Sequence, residues 1–551
     1  MFKLDALNSF IAGAIGLFFI LAISYSLKFM KGRKHLVLYY FYIVLSALAS
    51  LGVVLTNNLV VLLVCWGFLG LLLYLLINMG DSDAPQAAKK SLVIVGGTDA
   101  LMIFGIGIIY YFTQTMQLDK IRLELNQEPL ILAYFCIASA CFAKAGAMPY
   151  HSWVPDCAKS APIPVTAFLP SALDKLLGIY LLSRLSLNLF VMSKAVAMVL
   201  MIIGAITIIA AVMMALVQQN LKKLLGYSTV SQVGYMVLGI GTGNPIGIAG
   251  GLFHMLNHTV YKSCLFFSAG NVEYRTKTAE LDQLGGLSSL MPFTFFSFLV
   301  ASLSISGIPP FNGFVSKWLI YQGLIQNLQF ADYSMKIISI FCLIAAMFGS
   351  ALTLATFMKT LHAVFLGQRL NTLKSKEIKE VSFTMLAPCL VLAVICIIFG
   401  IFAFVLPLKY FIFPVLSVYA QLNAASLPGH WSPVLATILI LIGLLTGALL
   451  FRSGKVKSNI REDSTFSGGE LEEQGQEAMV TGTDFYNTVQ EMPFLKKVYQ
   501  KAQAGTFDLY EQSRKIFKIS KVLQFLHNGV LPTYLVWILL GMMGLFLILI
   551  G

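Results

Sequence analysis

FAKAGAMPYHSWVPD (residues 142–156) and SISGIPPFNGFVSKW (residues 304–318) each interrupt an apolar run with Gly and Pro, and each sets a lysine, Lys144 or Lys317, beside the interruption. The surroundings give these strings their meaning. The chain is 58% hydrophobic and 11% charged, with a mean hydropathy of +0.81, where a soluble domain is about 45–50% apolar and about 25% charged. In lipid, backbone freed by a break is tolerated only where it is buried in protein or lines a polar cavity. Interrupted helices at corresponding places in two halves therefore point to an inverted-repeat transporter. Two ordinary proline kinks would leave similar letters; the lysines favour the transporter.

Apolar runs of about 18–23 residues recur along nearly the whole sequence, each long enough to cross a hydrocarbon core of about 30 Å. They predict an all-α polytopic membrane protein of about 14 transmembrane helices. Residues 1–35 hold a first helix that lacks a small-residue cleavage site and reads as retained. Residues 36–190 and 191–362 read as two five-helix units, each with one broken helix, and 363–451 as additional spans. The charged segment 452–529, punctuated by Gly468 and Gly469, precedes a closing span at 530–551. Within that segment, FLKKVYQKAQAGTFDLYEQSRKIFKISKVLQFL (494–526) has apolar residues at helical spacing and frequent Lys, as an interfacial amphipathic helix has; a small helical tail would read the same way.

The net charge of +13 follows topology rather than announcing nucleic acid. With the N-terminus outside, inner connections carry Lys28, Lys31, Arg33, Lys34, Lys89, Lys90, Lys222, Lys223, Arg275, Lys277, Arg369, Lys374, Lys376 and Lys379, and 452–529 is cytoplasmic. The eight cysteines form no C-x-x-C pair, so neither an iron–sulfur nor a zinc site follows from them.

A lysine near the bilayer centre costs on the order of 3 kcal/mol even on insertion scales, so Lys144, Lys175 and Lys317 are functional candidates, with snorkelling to the interface as the bland alternative. Asp174 sits next to Lys175, and desolvation against a nearby carboxylate poises such a pair for proton exchange. In GGLFHMLNHTVYKSCLFF (250–267), His254, His258 and Lys262 recur every four residues and share one helix stripe. A proton relay fits them, as do hydrogen-bonded core histidines. A zinc-protease reading fails because Met255 stands where the glutamate belongs. Lys222 and Lys223, at a helix entrance, read equally as topological anchors.

Taken in order, FAKAGAMPYHSWVPD, the segment around Lys175, VQQNLKKLLGYSTVSQ (217–232), FHMLNHTVYK (253–262) and GIPPFNGFVSKW (307–318) resemble the antiporter-like subunits of complex I, in the superfamily shared with membrane-bound hydrogenases and Mrp antiporters. The resemblance covers about residues 4–365, and the charged segment with its final span more weakly resembles the lateral helix and anchor of the largest such subunit. It implies proton carriers at Lys144, Lys175, Lys222, His254, His258, Lys262 and Lys317, with Lys144 central to the first half and Lys222 to the second. Departures accompany it. Gly67, in VCWGFLGLLLYLL (64–76), replaces the family's glutamate, Gly96 replaces an arginine, and Asp99 survives one turn later. Asp99 or Asp174 is then left to partner Lys144. LDALNSF (4–10) resembles the family's third helix, so the resemblance implies that the family's usual first two helices are missing ahead of it.

What the resemblance implies is a proton- or sodium-translocating subunit of a redox-driven complex in the cell membrane of a prokaryote. It would bind no cofactor itself, with iron–sulfur or nickel–iron centres in partner subunits, and would sit in the lipid bilayer among other antiporter-like subunits and a peripheral redox arm, with no nucleic acid. A stand-alone or Mrp-like cation/proton antiporter and a non-conducting scaffold are the alternatives.

Overall fold

A computed structural model describes residues 3–368, 377–417, 432–453, 486–516, 524, 527 and 529–550. Two compact units result, Met1–Met492 and Pro493–Gly551. Arg369, Lys374, Lys376, Gly468, Gly469 and most of the charged segment lie outside the described residues.

The first unit is a helical bundle. In order it contains α1 (Ala6–Phe29), α2 (Leu36–Leu55), α3 (Leu59–Ile77), α4 (Ala84–Thr113), α5 (Glu128–Ala145), α6 (Trp153–Ser160), α7 (Ile163–Leu189), α8 (Lys194–Leu216), α9 (Leu221–Gly241), α10 (Pro245–Thr276), α11 (Pro292–Ser306), α12 (Asn312–Phe330), α13 (Tyr333–Leu366), α14 (Phe383–Ile401) and α15 (Pro433–Ser453). The all-α membrane class read from the sequence is what the chain adopts. Of the 14 spans expected, length and apolarity recover ten among the described residues. Of the four not recovered, α9 and α10 are long enough to span but carry Lys222, Gln232, His254, His258 and Lys262 inside the bundle, which lowers their apolarity, while the break leaves α11 only 15 residues long and the side chains of the closing helix are described only over Leu531–Met543. A two-residue parallel pairing of Leu123–Glu124 with Phe190–Val191 is the sheet structure among the described residues.

The starts of α1, α3, α8, α9 and α10 are capped by short polar side chains, which satisfy orphan N–H groups in an apolar medium. Asp5 accepts from the N–H groups of Leu7 and Asn8, and the Asn8 side chain returns to the Asp5 N–H. Asn58 caps α3 and its backbone bridges to Gln117; Asn220 caps α9 and bridges to Glu280. Because successive spans alternate direction, these two matching constructions stand at opposite ends of the bundle. The end that holds Asn220 also gathers Lys90, Asp156, Lys222, Glu273 and Arg275, and is called here the basic end.

Both predicted breaks are present. Gly146 (φ +80°) and Gly307 (φ +79°) end α5 and α11 in the left-handed region that favours glycine. The chain then passes through prolines before α6 and α12 begin. Close backbone approach holds the bundle together, as small residues permit in lipid. At Gly204 and Gly234, between α8 and α9, a Cβ would come within 2.7 Å of the facing backbone.

The second unit contains α16 (Pro493–Gln503), α17 (Leu509–Ile516) and α18 (Leu531–Ile550). The single amphipathic helix expected over 494–526 is divided. Gly505 takes φ +71°, and Asp508 accepts from the Tyr510 N–H at 2.9 Å, so one helix closes and a new one is capped. Residues 517–523, 525 and 526 of that stretch lie outside the described residues.

Candidate functional site

Lys144 occupies the last turn of α5, just before the break, and is 1% exposed. Its ammonium donates to the Trp66 carbonyl at 3.2 Å and stands 4.6 Å from the centre of the Trp66 ring. The indole N–H of Trp66 donates in turn to Asp99 Oδ1 at 2.9 Å. Trp66 therefore stands between Asp99 and Lys144, linking acid and lysine through its ring and carbonyl. Gly67, where the resemblance expects a glutamate, has open space where a Cβ would stand.

The π turn Leu169–Leu173 interrupts α7 just before Asp174 and Lys175, both fully buried, and sets the direction in which they project. Lys175 Nζ lies 5.1 Å from the centre of the Trp153 ring and has no hydrogen-bond partner; Asp174 Oδ2 has none either.

The second half is built on α10. His254 Nδ1 meets Ser316 Oγ at 2.9 Å, and its Nε2 meets Gln232 Oε1 and the Tyr261 hydroxyl, each at 3.2 Å. His258, one turn on, has a partner on neither ring nitrogen and lies on α10, which packs against α7, the helix of Lys175. The two halves thus meet across the α7–α10 contact, which Ser263 ties by donating to the Ala167 carbonyl at 2.9 Å. Lys262 donates to the Leu225 carbonyl at 3.1 Å and to Ser228 Oγ, with the Phe357 ring centre 5.5 Å away. Lys317 donates to the Ile305 carbonyl at 2.8 Å, with the Tyr235 ring centre at 4.8 Å.

A pattern emerges. Lys144, Lys175, Lys262 and Lys317 each lean on an aromatic face, and among the described residues none is ion-paired with a carboxylate. Ring quadrupoles and carbonyl oxygens stabilise an ammonium without fixing it as a permanent charge pair would.

Lys222 stands apart. It lies in the first turn of α9 at the basic end, donates to Glu273 Oε1 at 2.7 Å, and approaches Asp81 Oδ2 at 4.0 Å. Lys262, near the middle of the 32-residue α10, holds the deeper position. Sequence reasoning missed Glu273, although an acid closing the His254–His258–Lys262 helix beside a basic helix entrance was a usable signal. The rings under the lysines were not foreseeable, because each comes from a different helix.

The breaks tolerate no added bulk. A Cβ on Gly313 would stand 1.9 Å from the Ser304 carbonyl oxygen. Gly313→Ala is expected to cost about 1–3 kcal/mol or more by overpacking, read as a lowered thermal midpoint of the purified protein; an unchanged midpoint would show that the break yields.

The family described as NADH:quinone oxidoreductase/Mrp antiporter, transmembrane, matches residues 56–348. The Na(+)/H(+) antiporter subunit A1 of Staphylococcus haemolyticus is 32% identical over 401 residues, 69% of this chain and 50% of that protein. Its counterpart in Staphylococcus saprophyticus is 33% identical over 405 residues, 70% of this chain and 50% of that protein. The chain thus spans about half the length of these curated relatives. Among solved structures, a chain of the membrane-bound sulfane sulfur reductase, an archaeal respiratory membrane complex, has the same fold, with a TM-score of 0.82, 24% identity and coverage of 99% of this chain and 89% of that one. A chain of the Mrp complex from Dietzia sp. aligns with a TM-score of 0.69 and 21% identity over 76% of this chain and 84% of that one. With the matched region spanning both broken helices and the His254–Lys262 stripe, this chain belongs to the NADH:quinone oxidoreductase/Mrp antiporter membrane family.

Proposed function

We propose that this chain translocates protons, alone or in exchange for sodium, as one membrane subunit of a larger assembly. The observation that carries the reading is the file of buried titratable groups running through both halves: Lys144, Asp174, Lys175, His258, Lys262, His254 and Lys317. Orphaned polar atoms along it, Lys175 Nζ, Asp174 Oδ2 and both nitrogens of His258, are the kind that internal water satisfies. Histidine passes protons either way at neutral pH. The unpaired lysines can change protonation as neighbouring charges change.

The favoured setting is a redox-driven complex resembling a membrane-bound hydrogenase or complex I, with the N-terminus outside and electron-transfer centres in partner subunits. Likeness of fold to a respiratory complex over 99% of the chain supports it. The naming of the staphylococcal relatives supports a second reading, cation/proton exchange without a redox arm. Purifying the native assembly separates them. Copurified iron–sulfur subunits and proton movement on adding a reductant support the first. Proton movement driven only by a sodium gradient supports the second. No movement under either drive would reject translocation itself.

Lys222 and Glu273 form the gate at the basic end in this reading. Lys222→Ala and Glu273→Gln are each expected to slow proton flux several-fold, and the double variant no further, because the two act as one unit. Additive losses measured in proteoliposomes would show that they act separately.

A further inference from the structure

We infer that the seam where α10 packs against α11 and α14 is a second proton-access path, a file of internal water leading from Glu380 at the basic end to His254 and Lys317. The inference rests on the translocation reading above.

At the mouth, half-buried Glu380 accepts from the N–H groups of Phe293 and Thr294 at 3.0 and 3.1 Å and from the Thr294 hydroxyl at 2.6 Å, while the Arg275 guanidinium donates to the Glu380 carbonyl. Deeper in, Asn271 Nδ2 donates to Thr294 Oγ1 at 3.3 Å and to Cys389 Sγ at 3.5 Å. The Cys264 thiol follows, donating to the carbonyls of Cys389 and Ser297 at 3.3 and 3.5 Å. The seam ends at the second break. There Ser304 donates to Asn312 Oδ1, and Asn312 and Asn257 exchange hydrogen bonds of 3.0 and 2.9 Å. One turn from Asn257, the Tyr261 hydroxyl reaches His254, and Lys317 binds the carbonyl next to Ser304.

Three observations set this seam apart from ordinary packing. Asn257, Tyr261, Cys264, Ser268, Asn271 and Arg275 make a continuous polar stripe on a helix that is otherwise apolar on this side. Along it, Asn271 Oδ1 and Arg275 Nε are buried without a hydrogen-bond partner, and Ser268 Oγ has only the weakly bonding thiols of Cys264 and Cys389 beside it. Those three are a hydroxyl, an acceptor and a donor. Water satisfies such a mixture, whereas a bare metal cation would meet a guanidinium and find too few oxygens. None of these groups belongs to the Lys222–Glu273 gate.

The free thiols of Cys264 and Cys389 report directly on whether water enters. Infrared S–H bands of the purified assembly, assigned with Cys264→Ala and Cys389→Ala, are followed after transfer to D₂O. The internal reference is Cys342, which is bonded to the Met201 carbonyl within an apolar cluster. The expected result is exchange at Cys264 and Cys389 at least about tenfold faster than at Cys342. Asn271→Leu should slow that exchange towards the Cys342 rate and lower proton flux several-fold; Ser268→Ala, which removes only a hydroxyl, should do the same more weakly if the leucine variant fails to assemble. Exchange as slow as that of Cys342, or full flux in assembled Asn271→Leu, overturns the path. Rapid thiol exchange in a wild-type protein that moves no protons would support the hydrated seam and reject the translocation reading instead.

Discussion

Replacing Lys262 with methionine is expected to abolish ion translocation while leaving the assembled protein as stable as its parent, or more so. Lys262 is fully buried near the middle of α10, held by the Leu225 carbonyl, Ser228 and the Phe357 ring. No carboxylate among the described residues is ion-paired with it, so its removal strands no buried charge, and an apolar side chain of similar length relieves the cost of burying an ammonium. In the proposed relay, the proton step from His258 to Lys262 then has no acceptor. Flux in proteoliposomes should fall at least about a hundredfold, the lower range for losing a positioned proton carrier. A variant that assembles normally and still conducts at a rate near that of the parent would remove Lys262 from the relay.

The second large effect concerns the first half. Lys144→Met is expected to cut flux at least about tenfold, with Asp99→Asn producing a loss of the same kind and the double variant little more than either alone. The ground is geometric: Asp99 holds Trp66 through the indole N–H, and Trp66 supplies both the carbonyl and the ring that receive Lys144. Full flux in Lys144→Met would mean that the second half conducts alone. Loss in Lys144→Met with no effect of Asp99→Asn would transfer the acidic role to Asp174.

Much of this molecule was legible from its letters, for identifiable reasons. Gly146 and Gly307 announce breaks because a left-handed turn in an apolar run has few other causes, and the i, i+4 spacing of His254, His258 and Lys262 fixes a shared face once the segment is helical. What stayed hidden depends on contacts between distant segments. The sequence left Asp99 and Asp174 as rival partners of Lys144, and the structure interposes Trp66 between lysine and acid, an arrangement that no local pattern encodes. Lys222 was ambiguous for the opposite reason: a helix entrance predicts an anchoring lysine as readily as a conducting one, and its pairing with Glu273 appears only when α9 and α10 are brought together. The polar stripe from Asn257 to Arg275 escaped notice because amides, thiols and hydroxyls at helical spacing look like ordinary packing until their orphaned atoms are counted.

The aromatic rings beneath the lysines have an optical consequence. A charge 4.6 Å from the centre of the Trp66 ring, and another 5.1 Å from that of Trp153, shifts the energy of an indole excited state whose dipole differs from that of its ground state. In the proposed relay, each proton gained or lost by Lys144 or Lys175 should move the emission colour of its own tryptophan, so the first half would report its own charge through two indoles.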